Sequence, residues 1–154
     1  FSQLLELYPD LSNIDFFPVL HQIVLGDYRE ALQFLDRVQL KTDEVHYNRA
    51  LCLIKSGAIE EGVTIIRNHY EESSSYIQRQ MNVMRFFAFY CLKDAERMEA
   101  WLPRLQDKLN QAIGRLNLAE VYQAGKHFDR AQHHLDCLKE LDPFLHYDRI
   151  ENFE

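Results

Sequence analysis

Apolar residues recur at three- and four-residue spacing along almost the whole chain, and no stretch keeps the strict alternation that a half-buried strand needs. The pattern therefore predicts helices, divided by short polar or glycine-bearing breaks. FSQLLELYP at 1–9 reads as the end of a preceding helix, stopped by Pro9. A helix then runs from Ser12 or Asp15 to about Leu25, where Gly26 ends it and Asp27 caps a second through about Val38. Asp43 opens a third, closed at Ser56-Gly57, and a fourth reaches about Tyr70. EESSS at 71–75 caps a fifth helix to about Lys93. Asp94 opens a sixth, in which Pro103 predicts a kink or break because it lacks a backbone donor and clashes with the preceding turn. Helices at about 111–124 and 127–141 close the pattern at Pro143, leaving 144–154 as a terminal cap. The hairpins are thus 12–38, 43–70, 76–109 and 111–141.

Three of the breaks open similar phrases: GDYREALQFLDRV from Gly26, SGAIEEGVTIIRNH from Ser56 and GKHFDRAQHHLDCLKELDP from Gly125. Small residues late in one helix and early in the next keep a spacing of twelve: Val19 with Ala31, Ala50 with Gly62, Ala88 with Ala100, Ala119 with Ala131. Small side chains are needed where helix backbones approach closely, so these positions set a register. Its steps predict a unit of about 34 residues with an insertion near Ser73–Ser75. The third copy lacks the loop glycine and gains Pro103.

These residues resemble the tetratricopeptide repeat: Gly26-Asp27-Tyr28 with Ala31; Tyr47-Asn48-Arg49-Ala50 with Gly57 and Gly62; Ala88 with Ala100; Leu118-Ala119 with Tyr122, Phe128, Ala131 and Leu141-Asp142-Pro143. The resemblance covers nearly all of the chain. It implies an all-α, right-handed superhelical solenoid of about four helix-turn-helix hairpins, with a concave groove lined by the first helix of each pair. It further implies a non-enzymatic module that binds a peptide or helix of a partner protein. On that register the partner-binding residues are Phe17, Tyr47, Asn48, Arg85, Phe86, Phe89, Asn117 and Glu120. Rings would anchor apolar groups, amides would pair with an extended backbone, and Arg85 and Glu120 would select charge. A clamp for a C-terminal carboxylate is incomplete, because Phe16, Leu20, Asn82 and Phe86 stand at its slots. The alternative is a scaffold segment or self-associating subunit whose groove is filled by its own chain or another copy.

Composition narrows the chemistry. A net charge of −7, from 17 basic and 24 acidic residues, leaves no concentrated basic footprint for nucleic acid. No apolar run reaches membrane-span length, so no membrane insertion is expected. The 3 cysteines, Cys52, Cys91 and Cys137, lie scattered in apolar stripes, which suits buried thiols in a reducing, cytoplasmic setting. A chain opening on Phe1 suggests a fragment of a longer protein, and apolar ends at Phe1, Leu4 and Leu5 are compatible with a homo-oligomer. His133 and Cys137, four apart, could form half of a zinc site, but no further ligand motif completes it, and no metal or cofactor is expected. His21 and His46 read as helix-packing residues. No nucleophile elbow or phosphate loop points to an enzyme.

Overall fold

The computed structural model describes residues 25–141, and all the regular structure in that span is helical. The first predicted helix, Phe17, and the ends at 1–9 and 144–154 lie outside the described residues. In chain order the helices are α1 (Tyr28–Arg37), α2 (Asp43–Lys55), α3 (Ile59–His69), α4 (Ser75–Cys91), α5 (Ala95–Trp101), α6 (Lys108–Ala124) and α7 (Phe128–Leu141). None among the described residues is long and apolar enough to cross a membrane. Local chemistry sets their starts. Asp27 accepts from the Glu30 N–H at 3.2 Å and Asp94 from the Arg97 N–H at 3.1 Å, each satisfying an orphan donor of a first turn. At α2 the cap is Thr42, whose hydroxyl accepts from the Val45 N–H, and Asp43 falls one residue inside. Pro103 breaks α5 as expected, into a 3-10 turn at Leu102–Arg104.

Two compact units divide the chain at Met81, so α4 contributes its first half to one and its second half to the other. In the first unit, Ala31, Leu35, Val38, Val45 and Cys52 form a core flanked by Tyr28, Leu32 and Phe34. Helices α2 and α3 approach most closely where Ala50 faces Gly62. A Cβ added at Gly62 would stand 2.5 Å from Ile54 Cγ1 and 2.9 Å from the Ala50 carbonyl, so no larger residue fits without displacing α3. The second unit buries Phe86, Phe89, Met98, Leu102, Leu105, Leu118, Leu135 and Leu138.

The hairpin turns share one backbone signature. Ala58 N–H donates to Leu53 O (2.9 Å), Asp94 N–H to Phe89 O (3.0 Å) and His127 N–H to Tyr122 O (2.8 Å), and the residue before each donor is left-handed: Gly57 (φ 101°), Lys93 (φ 55°) and Lys126 (φ 64°). Gly26 (φ 78°) holds the matching place before α1. Five residues beyond these positions lie Ala31, Gly62, Met98 and Ala131, all buried; seven residues before the last three lie Ala50, Phe86 and Ala119, also buried.

This geometry corrects the third register. The positions equivalent to the small pairs are Phe86 and Met98, two residues earlier than Ala88 and Ala100, and Ala100 is exposed. The loop has not lost its left-handed residue; a lysine carries it. A close approach is seen instead at Gly114 of α6, where an added Cβ would meet Leu102 Cδ1 and Leu105 Cδ1 at 2.9 Å and Phe86 Cζ at 3.4 Å. The cysteines divide as well. Cys52 is buried, and burial pushes its thiol up to about 11, whereas Cys91 is exposed and Cys137 half-buried.

Candidate functional site

The expected binding residues do not share one environment. In the first unit Tyr47 is half-buried, and burial, followed by the nearby Tyr76, raises its phenol pKa. Asn48 donates one amide N–H to Glu44 O one turn back (2.9 Å), which fixes the side chain along its own helix and leaves the other N–H and the carbonyl. In the second unit the two-residue shift moves Phe86 and Phe89 off the first-helix face and into the core, at 4% and 2% exposure. Arg85 lays its guanidinium over Trp101 at 4.0 Å and over Phe89 at 5.9 Å, an attachment within its own unit. Asn82, one of the carboxylate-clamp slots, is buried like Phe86.

Asn117 and Glu120 lie on α6. Leu109, Ile113, Leu116, Asn117 and Glu120 recur at helical spacing along one face, opposite the buried Gly114, Leu118 and Tyr122. Leu109 is 67% and Ile113 47% exposed, which marks this stripe as the unfilled apolar surface of α6. Beside it, Tyr90 of α4 donates its hydroxyl to Glu120 Oε2 at 2.8 Å, and that bond to a carboxylate, together with burial, raises the tyrosine pKa. The Phe87 and Tyr90 rings lie 6.5 Å apart, and the Lys93 ammonium sits 3.9 Å over Tyr90. Phe87, Tyr90, Leu109 and Ile113 are not among the residues that the repeat register singles out. Phe87 was hidden by the misplaced third register, because it occupies the slot matching Leu51 and Glu120.

A second feature of this unit is an open cleft of about 660 Å³ lined by Glu96, Glu99, Tyr122, Asp129, Arg130 and His133, with His134 at its floor. His134 is only 2% exposed and uses both ring nitrogens: Nε2 meets Glu99 Oε1 at 2.5 Å and Nδ1 meets Arg115 Nη1 at 3.1 Å. A guanidinium can only donate, so Nδ1 holds a lone pair and Nε2–H donates to Glu99. Burial lowers the His134 pKa despite the carboxylate, so the contact is a charge-assisted hydrogen bond from a neutral imidazole rather than an ion pair. Burial works to raise Glu99, but the bonds from His134 and from Tyr122 OH (2.9 Å) prevail and lower it. Burial and that same carboxylate push Tyr122 up to about 12. Both ring nitrogens of His134 and the Tyr122 hydroxyl are thus hydrogen-bonded. These bonds join α5, α6 and α7 through Glu99, Tyr122, Arg115 and His134.

No family model matches the chain, and no curated protein or solved structure matches it. Functional assignment therefore rests on the geometry alone. His133 and Cys137 do approach, Sγ to Nε2 at 3.8 Å, but no third metal-ligating side chain joins them among the described residues.

Proposed function

We propose that this chain is a non-enzymatic protein-interaction module of tetratricopeptide-like helical repeats, which holds an amphipathic segment of a partner protein against the first-helix faces of its hairpins. One observation carries the reading: the line from Leu109 and Ile113 to Asn117 and Glu120 on α6, apolar and exposed at one end and polar at the other. Apolar side chains of the partner would cover Leu109, Ile113 and Leu116, and Asn117 would pair with its backbone. The recurring left-handed turn supports the repeat assignment, because it sets successive hairpins in one register although their side chains differ. The hydrogen-bonded Glu99–Tyr122–His134 cluster, which joins three helices, favours a non-catalytic role.

A photo-crosslinking residue at Ile113 should capture a partner from native extract, while the same residue at the exposed Asp136 on α7 should not. Ile113→Glu should abolish capture through a crosslinker at the neighbouring position 116 with helicity unchanged. Equal capture at both sites, or capture insensitive to Ile113→Glu, would overturn the assignment. Crosslinks exclusively to a second copy, with a dimer in sedimentation, would replace it with the self-associating scaffold.

A further inference from the structure

The first unit carries a cluster that neither the repeat register nor the proposed binding face uses. His46 on α2, His69 at the end of α3 and Glu72 in the following turn each offer one ligand atom, all within 4.8 Å of one another. The two imidazoles stack face to face, centroids 3.5 Å apart and planes 6° from parallel, so their nitrogens are close but one ring must turn for both lone pairs to meet a single ion. His69 Nδ1 meets Glu72 Oε1 at 2.5 Å. His46 Nδ1 is buried and has no hydrogen-bond partner among the described residues. A role in packing alone would be served better by an apolar ring, since an unpaired buried nitrogen is a cost that packing does not require.

The surrounding backbone is held before any ligand arrives. Ser73 Oγ donates to His69 O (2.6 Å), Asp43 Oδ2 accepts from the Ser74 N–H (2.9 Å), and Gln78 Nε2 donates to Tyr70 O (2.8 Å), so the turn bearing Glu72 is tied to α2, α3 and α4. The Glu72 side chain is 64% and that of His69 31% exposed, which gives an ion a path from solvent. Two imidazoles and one carboxylate disfavour Mg²⁺ and Ca²⁺, which require oxygen donors, and suit a borderline ion such as Zn²⁺. Three protein ligands leave one tetrahedral position open.

We propose that His46, His69 and Glu72 form a binding site for a Zn²⁺-class divalent cation, held by two imidazoles and one carboxylate at the α2–α3 end of the first unit. The test is titration of the full chain with Zn²⁺ against a chromophoric chelator, with melting followed in parallel. One equivalent should bind and raise the melting temperature. His46→Asn with His69→Asn should abolish both effects, Glu72→Gln should weaken binding about tenfold or more, and Cys137→Ser should change neither. Co²⁺ in place of Zn²⁺ should give no thiolate charge-transfer band. Failure of the wild-type chain to bind, or binding that survives the double histidine change, would overturn the proposal, as would binding lost with Cys137→Ser. If the double variant does not fold, Glu72→Gln decides, because its carboxylate is exposed and an undiminished affinity there excludes the site.

Discussion

His46 and His134 both lie inside helices beside a second aromatic ring and a carboxylate, yet their surroundings separate them. His134 is 2% exposed, with each ring nitrogen matched to a partner of the right polarity and Tyr122 stacked 5.8 Å away at 11°. His46 is half-buried, stacks on another histidine, and keeps Nδ1 unmatched. The deeper residue is the chemically quieter one. Burial by itself says little about whether a histidine is functional; the count of donors and acceptors left over says more, because an unmatched nitrogen is open to a ligand in the tautomer that leaves it a lone pair.

The sharpest way to break this contrast is to delete each ring. His134→Ala should cost about 3 kcal/mol, because it opens a cavity and strips partners from Glu99 and Arg115, whereas His46→Ala should cost less than about 1 kcal/mol without metal. Urea unfolding checks both, and equal losses would dissolve the distinction. Acid gives the next largest effect. The folded-state pKa of His134 lies below its ordinary 6.5, so the unfolded chain binds the extra proton first. Its stabilising contribution is complete above pH 6.5 and declines as pH falls below it. Burial and the neighbouring His69 also lower His46, which adds in the same direction, and Glu99, lowered from 4.5, extends the loss only at more acidic pH. His134→Gln should flatten the melting temperature between pH 7 and 5 more than His46→Gln does; the reverse order would place the buried proton linkage in the wrong unit. Tyr122→Phe should cost about 1 kcal/mol for one lost bond to Glu99, with the His134 contact preserved. Loss of the His134 pH response in that variant would mean the Glu99–Tyr122–His134 cluster acts as one cooperative unit.

Much of the helical layout was legible in the chain, since its signals are local. Asp27, Asp94 and Pro103 act within a turn of where they stand, and the Ala50–Gly62 pair announces a tight crossing by its size. The third hairpin was misread for a physical reason. Glycine advertises a left-handed turn, but lysine can adopt the same dihedral without announcing it, so Lys93 was invisible and Ala88 drew the register two residues late. Phe86 and Phe89 were therefore assigned to a surface they do not occupy. The histidine clusters were out of reach for another reason. His134 finds Glu99 across 35 positions, and His46 lies 23 positions from His69; no spacing rule within a helix predicts such meetings.

The repeated turn also governs how such a chain can change in length. From one left-handed residue to the next the distance is 31, 36 and 33 residues (26 to 57, 57 to 93, 93 to 126), while the buried positions seven before and five after each turn stay fixed wherever both are described. The differences in length fall at the joints between hairpins, such as the polar stretch at 71–75, and not within the hairpins. Residues added at a joint leave every crossing in phase. A single residue added inside α2, between Val45 and Ile54, would rotate the positions beyond it by about 100° against those before it and turn buried side chains outward.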